Sequence, residues 1–300
     1  MSDPPLVLTP GMQVSSEDGP LGRWTAVSWT PDPRLAPHLA ALWFAYGRTT
    51  YRRDRILPTG CVHLLINVAA PQYQIDPTTG ERRGFGGAFL SGAQDRFVDT
   101  EAPDDMALFG VVFRLGGAYP FFGAAQNELS GHVLELEEVL GDRAASLRRH
   151  LGERVFESGD LYGAFRVLER FLSTRLERGR ASHPVTSWLL ERLVATGGTV
   201  RVDELARATG FSRKHLATVV RREVGPTLKG LARLLRFRCA LAAMQMAAGS
   251  GSELAWADLA VDCGYYDQSH LIRDFKTFAG CTPDEARRLD APDANTLIVE

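Results

Sequence analysis

The feature that most constrains the fold of this 300-residue chain is a residue pattern that occurs twice towards its C-terminal end. The first copy comprises Leu205, Ala206, Gly210, Leu216, Val220 and Gly225. The second comprises Leu259, Ala260, Gly264, Leu271, Phe275 and Gly280. The offset is 54 residues at the first glycines and 55 at the later leucines, so the second copy has one extra residue in its turn. An internal duplication of this kind predicts two copies of one supersecondary unit.

Each copy predicts a helix-turn-helix: a short helix that ends at a glycine, a turn of a few residues, and a second helix. Gly210 and Gly264 stand where the backbone is expected to be left-handed, a conformation that is costly for a residue with a Cβ. Ser212 and Asp267 stand where the second helix needs an N-cap. Glycine and cap therefore recur in the same order in both copies.

The second helix of each copy has an apolar and a polar face at about 100° per residue. The predicted inward residues are Leu216, Val219, Val220 and Glu223 in the first copy and Leu271, Phe275 and Phe278 in the second. The outward faces hold groups that can donate to base edges or phosphates, and apolar groups that suit thymine methyls. The candidate DNA-binding residues are Arg213, Lys214, Ala217, Thr218, Arg221, Gln268, Ser269, Ile272, Arg273 and Lys276.

The segment between the copies predicts one long helix. Thr227 caps it, and Leu228 to Ala248 contains no proline and one glycine. About twenty helical residues span roughly 30 Å, which is close to the ~34 Å repeat of B-DNA. Such a rod could hold two reading helices in successive major grooves. A last helix is expected at Thr282-Pro283-Asp284-Glu285.

Charge is distributed unevenly along the chain, whose net charge is -2. Residues 201–238 carry 10 basic and 3 acidic side chains, a concentration that favours phosphate binding. Residues 253–288 carry 4 basic and 7 acidic side chains, which weakens the nonspecific attraction of the second copy for DNA. Binding is therefore expected to rest mainly on the first copy.

The region from Leu21 to Phe122 predicts β structure, because short apolar stretches alternate with glycine and proline. The best predicted strands are Cys61 to Ala69, Gly86 to Gly92 and Met106 to Leu115, with a turn at residues 76–80. Pro37 to Tyr46 fits either a helix or a strand.

Two antiparallel helices are predicted after Gly123. Their apolar stripes are Leu147, Leu151 and Val155, and then Leu161, Phe165, Leu168, Leu172 and Leu176. The stripes could pack on the β region, or form a dimer seam along Asp160 to Arg178. The predicted fold is α+β, with a β-rich sensor at 1–140, a helical hairpin and linker at 141–182, an all-α DNA-binding domain at 183–290 and a tail at 291–300.

The segment Trp256 to Pro283, which includes Cys-Gly-Tyr-Tyr-Asp-Gln-Ser-His-Leu-Ile-Arg, closely resembles the signature of the AraC/XylS family of transcription regulators. The resemblance covers roughly Val185 to Leu289 and implies a seven-helix DNA-binding domain. It places Gln268, Ser269 and Arg273 near bases or phosphates. In the first copy the aromatic and arginine that some members use are absent, so the target sequence does not carry over.

A weaker resemblance links Ile56 to Asn67 and Gly110 to Gly117 to a sensor module of some family members, which implies a cupin-like β barrel. In relatives such a domain binds a small effector or mediates dimerisation. The histidine cluster of metal-dependent cupins is missing, since His63 stands alone in its strand. No metal or cofactor is expected, and the candidate partners are double-stranded DNA, RNA polymerase, a small effector and a second copy of the chain.

Two other functions are compatible with a chain of this organisation. An enzyme, either a metal cupin or a DNA-repair methyltransferase with Cys61 as nucleophile, would need converging histidines or an activated thiol. A protein-interaction adaptor would have helix-turn-helix units that no longer touch DNA. The four cysteines lack the spacing of a zinc site and are interpreted as small buried hydrophobes. With neither a signal peptide nor a run of about 18 apolar residues, a cytoplasmic protein is expected.

Overall fold

A computed structural model describes residue 4 and residues 6–101, 103, 105–141, 143–250 and 255–300. Within these residues the N-terminal part is built from β-strands and the C-terminal part from helices. The predicted fold class is therefore confirmed: a β-rich domain with a helical hairpin precedes a helical domain with two helix-turn-helix units.

The described strands form two sheets. In chain order they are β1 (Met12–Gly19), β2 (Gly22–Trp29), β3 (Leu39–Thr49), β4 (Arg53–Ile56), β5 (His63–Asn67), β6 (Gln72–Ile75), β7 (Arg82–Phe85), β8 (Ala88–Ser91), β9 (Val98–Glu101), β10 (Met106–Phe113), β11 (Val133–Glu135) and β12 (Thr296–Ile298). The first sheet has the order β1-β2-β3-β10-β5-β8-β11 and the second β12-β4-β9-β6-β7. Each pair of neighbouring strands is antiparallel.

Helices cover one face of the first sheet. They are α1 (Tyr119–Phe122), α2 (Gln126–Leu129), α3 (Leu136–Leu140), α4 (Arg143–Phe156) and α5 (Leu161–Glu177). Phe165 of α5 stacks on Trp29 and meets Phe109 edge to face, with ring centroids 5.6 Å and 5.7 Å away. Buried Glu169 accepts hydrogen bonds from the Trp29 indole and the Asp32 amide. The predicted helical stripes thus lie in the core of their own chain.

The two sheets face each other on the side away from these helices. Phe85 of β7 and Phe89 of β8 pack at 5.1 Å between centroids, together with Val133 and Leu65. Strand alternation places His63 and Val112 on this inner face, since their neighbours Leu64 and Val111 belong to the helix-covered core. His63 and Val112 are only half-buried.

The C-terminal part contains α6 (Pro184–Ala195), α7 (Val202–Thr209), α8 (Arg213–Glu223), α9 (Leu228–Ser250), α10 (Trp256–Asp262), α11 (Gln268–Phe278) and α12 (Pro283–Ala286). Two hydrophobic cores share α9. Its first turns contribute Leu228 and Leu231 to the core of α6 to α8. Later turns contribute Phe237 and Leu241 to the core of α10 to α12. The long helix is therefore a common support for both units.

After α12 the chain returns to the second sheet. Strand β12 pairs with β4 in the register Thr296 with Ile56, Leu297 with Arg55 and Ile298 with Asp54. Leu297 is buried in the core of the second unit. The end of the chain thus ties the two parts of the molecule together.

Several local expectations are resolved by the fold. The ambiguous segment 37–46 belongs to strand β3, because pairing with both β2 and β10 outweighs its helical spacing. The turn at residues 76–80 joins β6 to β7, and the Asp76 carboxylate accepts from the amides of Thr78 and Thr79. The expectation of buried cysteines is wrong for Cys239, which is exposed on α9, and holds fully for Cys263. None of the helices in the described residues combines the length and apolar character of a bilayer-crossing segment.

Candidate nucleic-acid interface

The two helix-turn-helix turns share their geometry. Gly210 and Gly264 have φ values of 71° and 74°, in the left-handed region that favours glycine. The Ser212 side chain then accepts from the His215 amide at the start of α8. The Asp267 carboxylate accepts from the His270 amide at the start of α11. Each reading helix thus begins at the predicted cap.

The inward residues of both helices are buried as predicted. In α8 these are Leu216, Val219, Val220 and Glu223, and in α11 they are Leu271, Phe275 and Phe278. Glu223 is only 1% exposed and accepts from the His183 amide, the Thr186 hydroxyl and the Arg222 guanidinium. A buried carboxylate with three donors is satisfied in place. It fixes the end of α8 against the start of α6.

The outward residues divide into two groups. Eight of the ten candidates are exposed: Arg213, Lys214, Thr218, Arg221, Gln268, Ser269, Arg273 and Lys276. Ala217 and Ile272 are half-buried, and Ala217 packs partly against the first core. These two positions border the inward face, so only part of each side chain points to solvent. The structure thus leaves a polar reading face on each helix.

Some of the outward polar groups already have partners. The Arg213 guanidinium lies 2.6 Å from the Asp203 carboxylate, and both side chains are well exposed. An exposed pair of this kind contributes at most about 1 kcal/mol, so a phosphate could replace Asp203. The Thr218 hydroxyl donates to the Lys214 carbonyl within α8. These contacts orient the side chains without covering them.

Several acidic side chains of the second unit are buried or hydrogen-bonded within the unit. Asp274 is 1% exposed and accepts from the Arg233 guanidinium of α9 at 2.6 Å. Glu285 forms a capping box with Thr282, whose amide and hydroxyl hydrogen bonds lower the pKa of the Glu285 carboxyl. Asp267 is the cap of α11. The sequence count therefore overstates the negative charge that faces DNA.

Two aromatic residues beside the reading helices were missed in the sequence analysis. Tyr266, directly before the cap of α11, is 90% exposed. Phe211, directly before the cap of α8, is 38% exposed and stacks on His215 at 4.6 Å. A signal was present, since in both copies an aromatic precedes the cap residue. Exposed rings at these positions can contact sugars or bases.

The β-rich domain contacts the far end of α11. Arg55 of β4 holds Asp99 with two hydrogen bonds of 2.6 Å and 2.8 Å and donates to the Ala279 carbonyl at the C-cap of α11. The Arg55 guanidinium also lies over the Phe97 ring at 3.9 Å. Ser269, Arg273 and Lys276 remain exposed despite this contact. The reading face is therefore accessible while the domains are in contact.

Comparisons with known proteins agree with this architecture. A family model described as a helix-turn-helix domain matches residues 205–289, and a domain of unknown function (DUF6597) matches residues 28–135. No curated protein sequence matches the chain.

Solved structures with a similar arrangement include ToxT from Vibrio cholerae, at 11% identity and a TM-score of 0.45, covering 82% of this chain and 97% of that one. The C-terminal domain of AraT, a response regulator from Geobacillus stearothermophilus, matches at 19% identity and a TM-score of 0.32, covering 36% of this chain and 88% of that one. With its duplicated helix-turn-helix and the domain model that matches residues 205–289, the chain is a DNA-binding transcription regulator with a C-terminal helix-turn-helix domain.

Proposed function

We propose that the chain reads a specific DNA sequence by placing α8 and α11 in two successive major grooves. The observation that carries this is the construction of both units on a single helix, with the polar faces of α8 and α11 exposed. The 23 residues of α9 correspond to roughly 34 Å of helix, about one turn of B-DNA. The ten outward residues of α8 and α11 are the proposed contacts, and Tyr266 is an additional one.

A footprint tests this arrangement. Duplexes that bind the full chain are selected from a random pool, and the tightest is mapped by hydroxyl-radical cleavage. Two protected segments are expected about 10 base pairs apart on one face of the duplex. Lys214→Ala should reduce protection of one segment and Arg273→Ala that of the other.

Arg192→Ala is the matched control, because Arg192 is an exposed cation on α6 rather than on a reading helix. It should leave both segments protected. Failure to select any sequence, together with binding that does not weaken as salt rises, would favour the adaptor function instead.

We also propose that a small, largely apolar effector binds between the two sheets. Trp43 covers Gly110 on the inner face, and His63, Val112 and Ile56 beside it are half-buried rather than packed in a core. Burial lowers the pKa of His63 to about 4, so this imidazole is neutral and suits an uncharged ligand. Native mass spectrometry of the purified full chain should show a retained small molecule, and Trp43→Ala should reduce its occupancy.

Strand β4 is the proposed route from this space to DNA. Asp54 forms a hydrogen bond with Thr100 on the inner face of the second sheet, the face to which Phe85 belongs. Arg55, the next residue of β4, lies on the opposite face and donates to the Ala279 carbonyl. A ligand that displaces β4 would therefore move the end of α11. Arg55→Ala should leave effector binding intact and abolish its influence on DNA affinity, and exposed Arg52→Ala is the control.

A second copy of the chain is the proposed partner of the α4–α5 surface. The stripe of α5 is buried in its own chain, but a groove of about 880 Å³ remains between α4 and α5, with Val167 and Phe171 on its wall. A sedimentation measurement at micromolar concentration should give a dimer. A monomer would contradict the proposed dimer.

Contact with RNA polymerase is a further proposal, and transcription from a promoter that carries the selected site would test it.

An enzymatic function is not part of this proposal. Burial raises the pKa of the Cys61 thiol, whereas a nucleophilic cysteine needs a lowered one. The His63 ring is half-buried and lies 3.2 Å from the Thr59 hydroxyl, a contact that holds the ring in place. A regulator of this type would act in the cytoplasm, where its DNA target lies.

A further inference from the structure

Two cysteines meet inside the second helix-turn-helix unit. Cys239 lies on α9 and Cys263 is the C-cap residue of α10, and their sulfur atoms are 3.3 Å apart. Both are free thiols. We propose that these two residues form a reversible disulfide on exposure to peroxide, and that this bond weakens DNA binding by the second unit. The effect on DNA binding rests on the proposed function, whereas the formation of the disulfide does not.

The two thiols differ in a way that assigns their roles. Cys239 is exposed, whereas Cys263 is 4% exposed. Burial raises the pKa of the Cys263 thiol to about 12, so peroxide, which oxidises thiolates, reacts poorly with it, and it loses its proton only as its sulfur bonds to the neighbouring Cys239. Peroxide reaches the exposed sulfur first, because oxidation of a cysteine follows its accessibility and thiolate character. Cys239 is therefore the residue that is attacked, and Cys263 resolves the product.

The chemistry proceeds in two balanced steps. Hydrogen peroxide transfers one oxygen to the Cys239 sulfur, which gives a sulfenic acid and one water. The Cys263 sulfur then displaces hydroxide from that sulfenic acid; its proton leaves with the hydroxide as a second water, and the disulfide forms. Two thiols are oxidised by two electrons and one peroxide is reduced. A small dithiol such as dithiothreitol reverses the reaction by exchange.

The bond would act on α11 through the turn that precedes it. A disulfide requires a sulfur separation of about 2.05 Å, so the two sulfur atoms must approach each other by about 1.2 Å, and side-chain rotation and the end of α10 share this movement. Gly264 follows Cys263 directly and is packed against Thr199 so closely that a Cβ there would collide with it. Movement of the turn towards Thr199 is therefore blocked. We infer that part of the displacement reaches Asp267 and the start of α11, three residues further along the chain.

The test uses the full chain and compares it before and after treatment with a few equivalents of hydrogen peroxide. Free thiols are blocked with N-ethylmaleimide, and peptides are mapped by mass spectrometry. DNA affinity is measured by fluorescence anisotropy on a duplex selected with the reduced chain. Cys239→Ser removes the exposed thiol at a surface position, and Cys281→Ser is the matched control in the same unit.

We expect a Cys239–Cys263 cross-link in the unmodified chain and in Cys281→Ser, and a loss of affinity of about tenfold that dithiothreitol restores. Cys239→Ser should keep its affinity after peroxide. The inference is overturned if peroxide leaves the pair uncross-linked, or if the cross-link forms and affinity does not change. The cross-link is measured without DNA, so its absence leaves the proposed function standing. Failure of the reduced chain to select any duplex would instead overturn the proposed function.

Discussion

The two helix-turn-helix units share a design but differ in their surroundings. Residues 184–225 of the first carry 7 basic side chains, against 4 in residues 253–288 of the second, and the buried acid of the first, Glu223, is satisfied by an amide, a hydroxyl and Arg222. The second is poorer in cations. Its buried acid, Asp274, accepts hydrogen bonds from the Arg233 guanidinium. The second unit is also joined to the second sheet of the β-rich domain through Arg55 and β12.

This difference suggests that the two units have different roles in DNA binding. A unit rich in exposed cations supplies attraction to phosphates. A unit whose reading helix ends on another domain is the one that a change in that domain can move. The same motif can thus serve affinity in one copy and control in the other, and four measurements test how far the two copies differ.

The largest expected effect is on the stability of the second unit. Arg233→Ala leaves Asp274 buried without its cation, and breaking a buried pair in this way costs about 3 to 5 kcal/mol of unfolding free energy. In the first unit, Arg222→Ala should cost less than this, because Glu223 keeps the His183 amide and the Thr186 hydroxyl as donors. Urea unfolding measures both. Equal losses would show that the buried acids are equivalent.

The next largest effect is on the pH dependence of the unfolding free energy, and it arises in β4, the strand that joins the β-rich domain to the second unit. Burial raises the pKa of Asp54 from 3.8 to about 6. Because the folded state binds this proton more tightly than the unfolded state, the group stabilises the fold below pH 4. That contribution is lost as pH rises to 6, by up to about 3 kcal/mol.

Asp54→Asn should remove this dependence, since the amide does not titrate. The difference in unfolding free energy between the two proteins, measured from pH 4 to pH 7, isolates Asp54 from the other carboxyls. A constant difference across that range would contradict the prediction.

A smaller effect separates the two units on DNA. Arg221→Ala in α8 and Lys276→Ala in α11 each remove an exposed cation. Each lost phosphate contact should reduce the slope of log affinity against log salt by about 0.9. The loss of affinity at low salt should be several-fold for Arg221→Ala and smaller for Lys276→Ala. The reverse order would place the electrostatic attraction in the second unit.

The smallest effect is expected at the caps, where the units should behave alike. Ser212→Ala and Asp267→Ala each remove the acceptor for one amide at the start of a reading helix. Each should cost about 1 kcal/mol of unfolding free energy. Thermal melting of the two variants provides the measurement, with Ser212→Asp and Asp267→Ser as controls that keep a cap. A much larger loss at Asp267 would mean that the second cap has a further partner.

Much of the candidate interface could be predicted because its determinants are local. The glycine of each turn, the cap three residues before its amide partner, and the inward spacing of Leu216 and Leu271 are all fixed by neighbours within one or two helical turns. The strand at 37–46 could not be decided in this way, since Leu39, Leu42 and Trp43 fit both periodicities. Pairing with two distant strands settled it.

The sequence by itself determined that two capped helix-turn-helix units follow a β-rich region and stand at either end of a long helix. Only the tertiary structure decided that Arg233 neutralises Asp274, that Cys239 meets Cys263, and that residues 296–298 return to β4. The physical reason is sequence separation. A cap or a helical face is set by residues a few positions apart, whereas these contacts join segments that only the completed packing brings together.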